Sequence, residues 1–455
     1  MTVIHAKQML TPEGWAQNRA VHIGLDGRIA AVVAQGGACD SAVDLLLPAA
    51  VNLHSHAFQR AMSGLTEMRG PDPSDSFWTW RRLMYRYLDR LTPEDIEAIA
   101  AQVFLEMLEA GYAGVAEFHY LHHDVGGAAY SNLGELSERI IAAAEHVGIG
   151  LTLLPVLYQW GGCDSRALLG GQQRFGNTPD GYLRLHEAAA QAVSGSHADY
   201  AIGVAPHSLR AVDADGMGAA LNTARGGPIH MHLAEQVAEV EEVKAAWGAR
   251  PVEWLFENHE VDVRWCLIHA TQMTSGETEM LAKSGAVAGL CPITESSLGD
   301  GIFNGVEYLG YGGRRGFGSD SNIHIAYFDE LRTLEYSQRL RDCSRAALAN
   351  ATHSTGRVLI EAASKGGAQA AARQSGAIVA GHWADLVGIS TDNAWVCNRT
   401  GDTALDSLIF GGHGQKCVSE VWSAGRHVVR GGEHAKRREI SDRFRAVVER
   451  LGQDI

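Results

Sequence analysis

The chain has 455 residues, 46% of them hydrophobic, and a formal net charge of −15. That length suits one large barrel with a small accessory domain, and the apolar share supplies a substantial core. The acidic balance argues against nucleic acid, which needs a basic stripe, and no apolar run approaches the roughly 20 residues that span a bilayer.

The first residues, Met1 to Lys7, run straight into strand-like sequence without the basic and apolar regions of a secretory signal. The seven cysteines are scattered and form no Cys-x-x-Cys pair, a usage that suits a reducing cytoplasm. A cytoplasmic protein without a membrane partner is therefore expected.

Residues 1–47 read as short strands, with a turn at Leu25-Asp26-Gly27. From Pro48 the chain alternates apolar runs with amphipathic segments, the pattern of repeated βα units. Strands are expected to end near Leu53, Phe118, Val156, Ala205, Met231, Ile268, Leu290 and Gly318, enough for a closed (β/α)8 TIM-like barrel over 48–379.

One helix is marked at both ends. Thr92 can cap it, Pro93 fits its first turn and Asp95 completes a Thr-x-x-Asp box. Ile96, Ile99, Val103, Met107 and Ala110 then share a face, and Gly111 stops it. Residues 380–435 return to short strands, with a turn at Arg430-Gly431-Gly432, and are expected to join 1–47 in one small β-domain. A helix from Lys436 to Leu451 forms most of the closing segment 436–455.

Active sites of such barrels lie where strands feed into βα loops. His54-Ser55-His56 follows the apolar run Leu45 to Leu53, and residues two apart on a strand face one side. His232 closes the fifth expected strand, His269 the sixth and Asp320 the eighth, while His207 follows the fourth. A histidine taken singly more often has a structural role, and Asp320 alone could cap a helix. Together, histidines and one carboxylate make a borderline N/O set that suits one divalent ion, zinc first, with iron, manganese or cobalt also admitted. Glu235, three residues past His232, is placed to relay protons. His230 shares a face with His232 but sits one layer deeper, as a support.

These residues, in this order, resemble the amidohydrolase superfamily, in its branch that deaminates or deiminates with one metal ion. The resemblance implies His54, His56, His232 and Asp320 as metal ligands, and Glu235, His269 and Asp320 as catalytic residues. Strand four ends in Ala205-Pro206-His207 with no bridging lysine, which favours a single metal. Within that superfamily the chain resembles the formimidoylglutamate deiminases. The resemblance is carried by Asn52 to Arg60, Phe77-Trp78-Thr79-Trp80-Arg81, His119-Tyr120, Pro206 to Arg210 and His232 to Gln236. It implies Gln59, Arg81, Tyr120, His207 and Arg210 as substrate-binding residues, with Arg82 competing for the role of Arg81. It also implies a small dicarboxylate substrate, a place in histidine degradation and a homodimer.

The chemistry agrees, because arginine grips a carboxylate through paired hydrogen bonds. For Arg81 the plain alternative is a solvated helix face among Arg82, Arg86 and Arg90; for Tyr120 and Gln59 it is a loop role. Two other reactions stay open on the same scaffold: ring opening of an imidazolone that carries one carboxylate, and deamination of an aminated heterocycle. A metal-free scaffold would show gaps in the ligand set, and none appears. Nucleobase-flipping zinc deaminases are disfavoured because their Cys-x-x-Cys is missing.

Overall fold

The computed structural model describes residues 1–65, 67 and 84–452. Eight parallel strand positions form the barrel: Ala50–Ser55, Tyr112–His119, Gly150–Leu157, the broken pair Ala201–Ile202 and Ala205–Pro206, Ile229–Leu233, Trp265–His269, Val287–Leu290 and Arg314–Phe317. Each ends within two residues of its expected place. These strands are buried on both faces, apart from the edge-exposed Arg314 and the half-buried fourth strand, as expected of a parallel sheet covered by helices.

The barrel falls into two runs of strands, joined by single bridges at Val204↔Ile229 and Ser55↔Asp320. At the second seam the backbone N–H groups of Ser319 and Asp320 donate to the His54 carbonyl at 3.1 and 2.9 Å, and His56 N–H donates back to the Asp320 carbonyl at 2.9 Å. Gly318 permits this approach, since a Cβ there would lie 2.7 Å from His54 backbone atoms.

The helix Pro93–Ala110 begins at Thr92, whose Oγ1 accepts from Asp95 N–H at 3.3 Å while Thr92 N–H donates to Asp95 Oδ2 at 2.9 Å. Gly111 ends it in the left-handed region at φ 101°. All five residues of the expected apolar face are buried. The final helix, Arg437–Gly452, packs on this one.

The two ends of the chain meet in one eight-stranded sheet. Its halves join where Leu386–Ile389 pairs antiparallel with Ser41–Pro48. One segment departs from the expectation of strands over 380–435: Asp402–Phe410 is a helix. Its apolar residues Ala404, Leu405, Leu408 and Ile409 recur at helical spacing and are buried on one side, so packing selects the helix.

A buried ionic network joins sheet and barrel. Arg373 donates to both carboxylate oxygens of Asp385 at 2.6 and 3.0 Å and to Asp199 at 2.9 Å; Arg426 grips Asp199 at 2.7 and 2.8 Å. Although burial would raise it, the Asp199 carboxyl is held at about 2 by the two arginines. Among the described residues, no helix is long and apolar enough to cross a membrane.

Candidate active site

His54, His56, His232 and Asp320 converge at the C-terminal mouth of the barrel, with potential ligand atoms all within 4.8 Å of one another. Asp320 Oδ1 lies 3.4 Å from His54 Nε2 and 3.3 Å from His56 Nε2. Two of the three outer ring nitrogens are engaged elsewhere: His56 Nδ1 donates to the Phe118 carbonyl at 3.0 Å and His232 Nδ1 to that of His207 at 3.2 Å, whereas His54 Nδ1 has no hydrogen-bond partner among the described residues. Those bonds fix the tautomers and turn the Nε2 lone pairs inward.

Burial pushes the His54 imidazole down to about 3 and lowers His56; it takes His232 well below its usual value, helped by the neighbouring histidines. Burial works against the Asp320 carboxylate too, yet the hydrogen bond from His54 and the charges of His54, His56 and His269 hold it well below the usual range. The donors are thus three imidazoles around one carboxylate. His54 Nε2 and His232 Nε2 stand 3.1 Å apart, near the roughly 3.3 Å that two imidazole nitrogens take on one tetrahedral ion. The donor set fits a single divalent metal.

Beside it lies a pair suited to proton transfer. His269, in the left-handed region at φ 69°, has Nε2 3.8 Å from Asp320 Oδ2 and 3.9 Å from Glu235 Oε1. Burial would lower its pKa, but Glu235, Glu295 and Asp320 raise it to about 10. Burial raises the Glu235 carboxyl, with Glu239 and Asp320 adding to the shift against His269 and Arg210.

The other expected residues reach the same place. Gln59 Nε2 donates to the Tyr120 hydroxyl at 2.7 Å, and the His207 ring lies 4.8 Å from that of His232. Arg210 Nη2 is 3.7 Å from Glu235 Oε2, and its Nε has no partner among the described residues. Every expected residue but His54 and Arg81 lines one cavity. His54 is buried beneath it, and Arg81, with its alternative Arg82, lies outside the described residues. His230 turns to the Ala370 carbonyl at 2.7 Å, in keeping with a supporting place.

Two carboxylates escaped sequence reasoning. Glu239 accepts from the N–H groups of Ala234 and Glu235 at 3.2 and 3.0 Å, and so holds the turn that aims Glu235. Glu295 accepts from His269 Nδ1 at 3.2 Å and from Cys291 N–H at 2.9 Å. The spacing Glu235-x-x-x-Glu239 was available as a signal, because a carboxylate in the first turn of the following helix can reach free N–H groups.

Comparison with known proteins agrees with this picture. The amidohydrolase family model matches residues 45–428, and the model of the N-terminal domain of formimidoylglutamate deiminase HutF matches residues 1–42. The chain is 46% identical to formimidoylglutamate deiminase from Pseudomonas aeruginosa, covering 100% of this chain and 99% of that protein. It is 27% identical to a 5-methylthioadenosine/S-adenosylhomocysteine deaminase from Natronomonas pharaonis, over 85% of this chain and 83% of that one. The crystal structure of an amidohydrolase from Brucella melitensis superposes with a TM-score of 0.94 at 45% identity, covering 99% of this chain and 100% of that one. With its strand-end donor set and a match spanning the whole barrel, the chain belongs to the amidohydrolase family.

Proposed function

We propose that this protein hydrolyses the formimino carbon–nitrogen bond of N-formimino-L-glutamate, giving N-formyl-L-glutamate and ammonia in histidine degradation. The observation that carries this reading is Arg210, a partly buried guanidinium beside Glu235 in the cavity of a chain 46% identical to a formimidoylglutamate deiminase. His54, His56, His232 and Asp320 would hold one divalent ion, zinc by donor type, which when bound polarises the amidine and acidifies water toward a pKa of about 7.

The remaining steps belong to side chains of this chain. Arg210 binds a substrate carboxylate, with Gln59, Tyr120 and His207 orienting the rest and Arg81 assigned to the second carboxylate. Glu235 takes a proton from the attacking water and passes it to the imino nitrogen. The water oxygen bonds to the formimino carbon, both water protons end on the departing nitrogen, and the carbon–nitrogen bond breaks to release ammonia. His269, steadied by Glu295, stabilises charge developing at the reacting centre, and Asp320 assists proton transfer. The reading includes a homodimer and a cytoplasmic setting; the seven free cysteines support the latter.

The test is ammonia release by the metal-reconstituted protein from N-formimino-L-glutamate, beside N-guanidino and imidazolone analogues. Turnover of the first is expected. Ring opening of the imidazolone without ammonia from the first would replace this assignment within the same family. Arg210→Met is expected to raise KM for N-formimino-L-glutamate on the order of 100-fold, the loss of a charge-assisted carboxylate contact. An unchanged KM in steady-state assays would remove Arg210 from carboxylate binding.

A further inference from the structure

Beside the donor set, four buried polar side chains that the proposed reaction does not use join the first strand to the turn after the eighth. Asn52 Oδ1 accepts from Ser319 N–H at 3.1 Å, and Asn52 Nδ2 donates to Ser319 Oγ at 2.6 Å. Ser319 Oγ donates to Asn322 Oδ1 at 2.6 Å, and Asn322 Nδ2 donates to Ser55 Oγ at 3.1 Å. One backbone group sets every direction in this chain of bonds. A backbone N–H can only donate, so the Asn52 amide turns its oxygen to Ser319 N–H and its nitrogen to the Ser319 hydroxyl. That hydroxyl, already accepting, sends its single proton to Asn322 Oδ1, which leaves the Asn322 nitrogen for Ser55.

These residues interleave with three of the four donors. Ser55 lies between His54 and His56, and His54 N–H also donates to Asn52 Oδ1 at 3.4 Å. Ser319 and Asn322 bracket Asp320 in a turn closed by Asn322 N–H on the Ser319 carbonyl at 2.8 Å. Within it Asp320 and Asn322 take left-handed φ values of 45° and 56°, which residues with side chains keep only where the surroundings fix them. On the second strand Glu117, paired in register with Ser55, accepts from Ala57 N–H at 2.7 Å and steadies the chain just past His56. Donors held this way lose little freedom when an ion binds.

We infer that Asn52, Ser55, Ser319 and Asn322 are positioning residues for the metal centre, setting its affinity by holding Asp320 against His54 and His56. The inference rests on the donor set assigned above. It adds that part of the grip on the ion resides in uncharged side chains that do not ligate it. Bonds that orient ligands in this way typically carry about 10–100-fold in metal affinity.

The test is the zinc dissociation constant of the full-length, zinc-loaded protein, measured at neutral pH by competition with a chromophoric chelator. Ser319→Ala removes the oxygen at the centre of the chain; Asn322→Gly removes the amide while glycine accepts the left-handed backbone. Each is expected to raise the constant at least about tenfold, and to shrink the rise in thermal midpoint that zinc gives by linkage. The control is Ser423→Ala, which deletes a buried hydroxyl bonded to the Ala113 carbonyl at 2.7 Å near the start of the second strand. It is expected to lower the midpoints with and without zinc together and to leave the constant unchanged. An unchanged constant in either folded variant would overturn the inference, as would an equal shift in the control, which would mark a general loss of stability. Should Ser319→Ala fail to fold, Asn322→Gly decides alone. Wild type that holds no zinc would remove the donor set itself and this inference with it, an outcome distinct from tight binding that the variants leave unaltered.

Discussion

Replacing Glu235 with glutamine will lower kcat for ammonia release by about 10³-fold, within the range of a lost general base, while metal content and thermal midpoint stay near those of wild type. The substitution keeps the side chain's shape and removes its ability to take a proton. The turn that carries the residue is held by Glu239 through the N–H groups of Ala234 and Glu235, which the substitution does not touch. Among the four donors, Asp320 lies 3.4 Å from His54 Nε2 and 3.3 Å from His56 Nε2, contacts in which Glu235 takes no part. Steady-state ammonia assays beside metal analysis make the check. Near-normal turnover with metal bound would take the proton relay away from Glu235, whereas loss of metal would show that the residue acts on the donor set.

The largest effect on stability is expected at Arg373→Leu, with a loss of about 3–5 kcal/mol, the usual consequence of removing one partner from a buried ionic cluster. The change leaves Asp385 buried with the N–H of Ala424 as a remaining donor, while Asp199 keeps Arg426. Adding Asp385→Leu should restore part of the loss, because two apolar groups then face each other where one bare carboxylate stood. Urea or thermal midpoints of the two variants beside wild type decide it, and no recovery in the double variant would show that packing, not charge, sets the loss. The same network predicts acid sensitivity. Asp199 has a folded value of about 2 against a reference of 3.8, so its contribution is complete above the latter and disappears as pH falls through the former.

The barrel was readable because its strands are short apolar runs whose ends carry histidine or aspartate, and burial on both faces demands such runs. His54, His56, His232, His269 and Asp320 could be named in advance for that reason. What could not be read were partners whose meeting depends on closure of the whole fold. Arg373 and Asp199 are separated by 174 positions, and nothing local in either segment marks the other. The helix Asp402–Phe410 lacked a side-chain cap, since Gly401 precedes it at φ 55°, and its flanking strands drew the segment into their pattern.

The seam between the first and eighth strands has a consequence for assembly. Asn52 donates to Ser319 Oγ at 2.6 Å across 267 positions of chain, and the adjacent backbone bonds run between His54, His56 and Asp320. The donor set therefore straddles the last joint of the cylinder. No fragment lacking either edge can present it, and a slip of one residue at that joint would turn the first-strand imidazoles to the opposite face. Contacts this distant in sequence form late and slowly. With the proposed donor set, retention of the ion is expected to require a cylinder shut in register, and chains trapped before that point to be distinguishable by the metal they fail to retain.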